Sequence, residues 1–277
     1  MTARTSRRTL LGGAGASLLA ALAGCSGSTP LVGRRIESNE TISPDGAERL
    51  EVTGDVGEIT VVGVGRDDVG LDIVKQSSSI RTDLDDLEFR TERDDDTLEL
   101  RSEYDGSVGW FESQPTMDLD IEMPEALALE RIDASIGRIS VRDVTGDLTV
   151  ETSTGEIDVS SVAGTVGARA STGDVEIREI DALGDVRTST GRIEVDVPAI
   201  DGDTTVEAST GEIAAAIDPD LDADLHVSTS VGEVSVDGLE LTDETREDNL
   251  VMGTLGDGGP TLRLETSTGR IDVTSLS

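Results

Sequence analysis

Chemistry by side chains needs a base, a nucleophile or a set of metal ligands, and here each is scarce. The chain has one histidine, His226, and one cysteine, Cys25. A Ser–His–Asp or Cys–His arrangement therefore has a single place to find its base, and mixed Cys/His zinc sets lack their ligands. His226 sits beside Val227 in an alternating stretch and reads as a surface or strand-edge residue. Asp218, Asp220 and Asp222, in "DPDLDAD", have the spacing that opens a calcium loop. Ala223 stands where that loop needs glycine and Thr229 where it needs a bidentate glutamate, so a solvated acidic turn is the stronger expectation. Gly63-Val64-Gly65 lacks the third glycine of a dinucleotide turn, and a strand pattern follows it instead of a helix. Paired carboxylates for glycoside cleavage must converge, whereas the acids here are spread along the chain. The sequence therefore predicts no catalytic residue, no resident metal and no cofactor.

One modification chemistry does stand out at the N-terminus. Arg7 and Arg8 precede a short run of Leu, Gly and Ala that closes on Leu22-Ala23-Gly24-Cys25. Twin arginines before such a run resemble a Tat export signal, and the closing tetrad resembles a lipobox, with Cys25 bearing the lipid as first residue of the mature chain. From Thr9 to Ala23 the run is short of the ~20 residues a membrane span needs. Residues 1–24 are thus expected to be a signal peptide, and 25–47, small and polar, a flexible tether. The chain would sit on the outer face of the cytoplasmic membrane, held through Cys25.

Composition narrows the partners. There are 58 Asp and Glu against 22 Lys and Arg, a formal charge of −36. Clustered cations are what displace counterions from a phosphate backbone, so nucleic acid is excluded as a partner. Lys75 is the only lysine. Acid-rich, lysine-poor chains suit molar salt, where the screening length is about 3 Å and neighbouring carboxylates scarcely repel. A halophilic archaeal source is expected.

The elements that would position any site follow from a repeat. The pattern S-x-G-x-[Ile/Val] starts at Ser135, Ser153, Ser171, Ser189, Ser209, Ser230 and Ser267. The intervals are 18, 18, 18, 20, 21 and 37 residues, the last close to twice the period. Within one period Leu148, Val150 and Thr152 alternate before the turn, and Ile157 and Val159 after it. Period-two alternation means strands with one buried face. Laps of 18 residues stack most simply as parallel coils, with equivalent positions about 4.8 Å apart. The expected fold is an all-β, single-stranded parallel β-solenoid over 48–277. It divides into an irregular part, 48–130, and regular coils, 131–277, with an insertion near 238–259 expected to bulge as a loop; an antiparallel β-sandwich is the alternative. Gly137, Gly155, Gly173, Gly191, Gly211, Gly232 and Gly269 are the structural turns. The Ser and Thr before them, such as Ser153 and Thr154, are expected to stack in hydroxyl ladders.

All four aromatics, Phe89, Tyr104, Trp110 and Phe111, fall within 89–111. They cap the solenoid, or Tyr104, Trp110 and Phe111 offer a contact patch, since Trp and Tyr anchor interfaces.

An export signal, a tether, "GEITVVGVGRDDVGLDIVK", the proline-led "IEMPEALALERIDASIGRISV" and then serial S-T-G-[Asp/Glu]-[Val/Ile] coils together resemble the DUF4097 family. Its members are proposed adhesins, related to the head domains of proposed autotransporter adhesins. The resemblance spans Leu50 to Ser277 and implies a β-helical cell-envelope protein; it transfers no catalytic residue. The expected function is a non-catalytic, lipid-anchored surface protein, adhesive or structural, with a surface protein or glycan as partner. The alternative is an envelope sensing or ligand-binding module using 89–111.

Overall fold

Alternation of Ile, Val and Leu with polar residues produces strands over nearly all of the chain, seen in a computed structural model that describes residues 33–79, 82–106 and 114–276. The first strands are β1 (Arg34–Ile42), β2 (Arg49–Val56), β3 (Ile59–Val64), β4 (Val69–Ser77), β5 (Leu87–Asp94), β6 (Thr97–Tyr104) and β7 (Thr116–Pro124). The regular region holds β8 (Ala128–Ile136), β9 (Ile139–Thr145), β10 (Leu148–Thr154), β11 (Ile157–Thr172) and β12 (Val175–Thr190). It continues through β13 (Ile193–Val197), β14 (Thr204–Thr210) and β15 (Ile213–Ile217). The last are β16 (Ala223–Val231), β17 (Val234–Val236), β18 (Leu241–Glu247), β19 (Leu250–Leu255), β20 (Thr261–Thr268) and β21 (Ile271–Ser275).

Consecutive coils pair in parallel at the 18-residue offset: Val150 lies against Ile132 and Ala168, and Ile157 against Ile139 and Val175. This is a parallel β-solenoid and not a sandwich. The inward column Leu119–Ile59–Ile139–Ile157–Val175–Ile193–Ile213–Ile271 runs through the stack, and every member is essentially fully buried. Each such side chain contributes about 1.5–3 kcal/mol by leaving water. The regular coils bend at the S-x-G glycine, and three of them again at Asp143, Ser161 and Glu179, which take left-handed φ of 56°, 55° and 53°.

The glycine corner has a steric cause. At Gly173 φ is +148°, and a Cβ there would lie 1.6 Å from the carbonyl oxygen of Gly155. The same relation links Gly57, Gly137, Gly155, Gly173, Gly191, Gly211, Gly269 and Gly232, each facing the glycine carbonyl before it in that order. No residue with a side chain fits a column in which one coil's backbone occupies the next coil's Cβ position.

That order differs from chain order at both ends. The β20/β21 coil sits between β14/β15 and β16/β17. The β2/β3 coil likewise lies between β6/β7 and β8/β9. Antiparallel strands close the two ends: β5 on β6 and β4 on β7 at one, β19 on β16 at the other. The expected loop at 238–259 is thus the hairpin β18–β19, whose Val251 and Leu255 are fully buried. The tether expectation fails over Arg34–Ile42. That segment pairs antiparallel with β4 along its length, although all but Ile42 stays exposed.

The hydroxyl ladder also differs. No hydrogen bond joins the outer Ser153, Thr154 and their counterparts among the described residues; at coil spacing their oxygens stand too far apart, and water competes. The inner threonine of the corner does the bonding. Thr188 Oγ1 donates to the Gly173 carbonyl at 3.1 Å, Thr229 to Gly269 at 3.1 Å and Thr266 to Gly211 at 3.3 Å. Thr152 occupies the same position, yet its buried hydroxyl has no partner.

Candidate functional site

Outward positions, set by the same alternation, place charge in columns. Arg138, Glu156, Asp174, Arg192, Glu212, Arg270 and Glu233 follow one another beside the glycine corner. Contacts within the column are Arg138–Glu156 at 2.6 Å, Arg192–Glu212 at 3.0 Å and Arg270–Glu233 at 3.6 Å. On the flanking sheet Arg131 meets Asp133 at 2.6 Å and Glu151 at 3.3 Å, while Arg187 meets Asp185 at 2.8 Å and Glu207 at 3.6 Å. The wholly acidic column Asp158–Glu176–Glu194 is short, flanked by Ser140 and Ala214. Exposed pairs of this kind contribute little each. Their effect is to break up like-charge stacking, giving ion-paired ridges rather than a converging carboxylate cluster.

The residues singled out in the sequence are dispersed. Asp218 Oδ1 accepts from the Asp220 amide at 2.8 Å, closing a tight turn. Asp222 Oδ1 accepts from the Asp257 amide at 2.7 Å, tying down the hairpin. Among the described residues no three Asp, Glu, His or Cys side chains are gathered closely enough to hold a metal ion. His226, on β16, stands in register with Arg263, its Nε2 3.9 Å from Glu265. Burial lowers its pKa, Arg263 lowers it further, and Glu265 pulls the other way. Elsewhere Arg49 hydrogen-bonds Asp96 and holds that carboxyl below the ordinary range.

Tyr104 and Phe89 are half-buried against the core at the β5–β6 end. Gly106 lies so close to the Tyr104 ring that a Cβ would come within 2.4 Å of it. These two aromatics pack the cap. Trp110, Phe111, Cys25, Arg7 and Arg8 lie outside the described residues.

One concavity was not anticipated. An open groove of about 540 Å³ runs across the outer surface of β1, β4, β7 and β3, with Val62 and Val64 among its apolar residues. Arg66 crosses it over Gly70 and donates to Glu122 Oε2 at 2.5 Å, while its buried Nε has no partner. The Gly-Val-Gly before Arg66 does not announce this groove. Gly63 is needed because a Cβ there would meet the Asp143 carbonyl oxygen at 1.9 Å; it serves coil packing and not a nucleotide.

Ion-paired ridges on stacked parallel coils, closed at both ends, define a β-solenoid of the repeat class. Residues 116–274 match the family described as Toastrack DUF4097, and the chain belongs to it. Similar solved structures include a proposed cell adhesion protein of Clostridium sporogenes ATCC 15579. It is 14% identical with a TM-score of 0.38, covering 88% of this chain and 100% of that one. A proposed adhesin of Bacteroides fragilis NCTC 9343 is 12% identical with a TM-score of 0.40, covering 88% and 97%. A proposed adhesin of Parabacteroides merdae ATCC 43184 is 13% identical with a TM-score of 0.23, covering 87% and 96%. No curated protein matches.

Proposed function

We propose that the chain is a non-catalytic, lipid-anchored envelope protein of a halophilic archaeon, displaying the flanks of its solenoid for adhesion or as a spacer. The observation that carries this is the closure of both stack ends by antiparallel strands, which leaves the ion-paired flanks as the surface on offer. Membership of the family and the Leu-Ala-Gly-Cys tetrad support it. No helix among the described residues is long and apolar enough to cross a membrane; attachment is assigned to a lipid on Cys25 because Leu22-Ala23-Gly24-Cys25 resembles a lipobox. The test is fractionation of cells producing the whole chain. Wild type should float with membranes and Cys25→Ser should pass to the medium, with cell attachment lost in parallel. Retention of Cys25→Ser on the membrane would refute the anchor.

A second role is that of a sensing or ligand-binding module using 89–111; the Arg66 groove, none of whose lining residues falls in that segment, is a separate concavity open to a ligand. Trp110→Ala with Phe111→Ala should abolish capture of a surface protein or glycan under that reading. Unchanged capture with lowered stability would assign these residues to the cap.

A further inference from the structure

We infer that Asn39 is an acceptor for an N-linked glycan. The chain has two asparagines, and they differ in every respect that matters. Asn249 is followed by Leu250 and Val251, and its Nδ2 donates to the Thr229 carbonyl at 3.0 Å, which locks the hairpin to β16. Asn39 is followed by Glu40 and Thr41, the Asn-X-Thr acceptor pattern. Its side chain hydrogen-bonds to nothing among the described residues. Asparagine is depleted in strands, and folding gives no reason for one in the middle of β1.

Pattern alone is weak, because Ser and Thr are common here. The placement supplies the rest. β1 pairs with β4 on one side only, with Asn39 opposite Asp72 and Thr41 opposite Gly70. Its other edge is open among the described residues, and both Asn39 and Thr41 are exposed. Two residues apart on an extended strand, their side chains leave the same face. A transferase can therefore approach the amide and the hydroxyl together without unfolding the domain. Asn39 lies fourteen positions beyond Cys25, a reach of at most about 50 Å, which keeps the acceptor near a membrane carrying the donor.

The donor is a saccharide linked through phosphate to a lipid. Asn39 Nδ2 forms the bond to the anomeric carbon, the anomeric carbon–oxygen bond breaks, the lipid phosphate leaves with the electron pair, and the amide gives up one proton. A hydrophilic chain at this position would also shield the free edge of β1, which otherwise invites pairing with another strand.

The inference rests on export of the chain. The test is to produce the whole protein with its own N-terminus in a halophilic archaeal host and analyse peptide 36–49, which trypsin releases after Arg35 and Arg49. Wild type and Thr41→Ser should carry a saccharide mass on this peptide, and Asn39→Gln and Thr41→Ala should not. An exported protein with peptide 36–49 wholly unmodified overturns the inference and leaves the envelope role standing. A mass that persists in Asn39→Gln also overturns it, assigning the sugar to Ser38, Thr41 or Ser43. A chain retained inside the cell with its Arg7–Arg8 segment intact overturns the envelope role and this inference with it.

Discussion

Replacing Gly173 by alanine should be among the most damaging single-methyl changes this chain can suffer. The added Cβ would stand 1.6 Å from the Gly155 carbonyl oxygen, where contacts below 3.0 Å essentially never occur. The two coils must separate locally by more than an ångström. The inter-coil bonds flanking the corner, Gly155 N–H to the Thr172 carbonyl at 3.0 Å and Ile157 N–H to the Asp174 carbonyl at 2.9 Å, then pass out of range. Each is worth about 1 kcal/mol net, and holding alanine at φ of +148° costs a further ~1–3 kcal/mol. The total is roughly 3–5 kcal/mol, a large share of the 5–15 kcal/mol typical of a domain. Gly202 is the control. A Cβ there meets nothing within 4 Å, and its φ is not positive, so alanine should be neutral or stabilise by ~0.4–1 kcal/mol. Urea unfolding of both variants in molar salt, followed by circular dichroism, measures the difference. Values within about 1 kcal/mol of each other would refute the steric account of the corner.

The inner threonines offer a matched pair. Thr188→Val removes a donor to a backbone carbonyl and should cost about 1 kcal/mol, whereas Thr152→Val removes a buried, unpartnered hydroxyl and should be neutral or stabilising by the same denaturation assay. Because burial lowers the pKa of His226, the unfolded chain binds the proton more readily. Its contribution is present above the ordinary value of 6.5 and lost as pH falls below it toward the folded value. Thermal melts at pH 7.5 and 5.5 should show a decline that His226→Gln reduces. Excising residues 239–258 in favour of a short Gly-Ser turn would bare the β16 edge and remove the buried Val251 and Leu255. Light scattering should then find concentration-dependent association, and a strictly monomeric product would contradict the capping role. With 58 acids against 22 bases, net repulsion outweighs the screened ion pairs. The melting temperature should therefore rise between 0.1 and about 1 M KCl.

Period and face were readable because they are local properties: Ile157, Val175 and Ile193 recur at fixed spacing and must turn inward together. The groove at Arg66 was not readable, since it depends on β1 and β7 arriving beside β3 from distant parts of the chain. Stack order was hidden for a different reason. Every coil presents the same column of Val and Ile, so burial scarcely distinguishes one neighbour from another. Charge offers a partial preference, because Arg270 between Glu212 and Glu233 separates two acids that chain order would stack. Those side chains are too exposed for this to decide. The deciding element is the segment after β17. β18–β19 folds back as a hairpin that pairs antiparallel with β16, and it can do so only if β16 keeps a free edge. The coil that carries its own lid must therefore be terminal, and β20 and β21 are left the one place still open, between it and β14/β15. The same logic operates at the other end, where β4 and β5 close over β7 and β6 and leave the β2/β3 coil inside. The interruptions of the repeat, more than the repeat itself, fix which coil touches which.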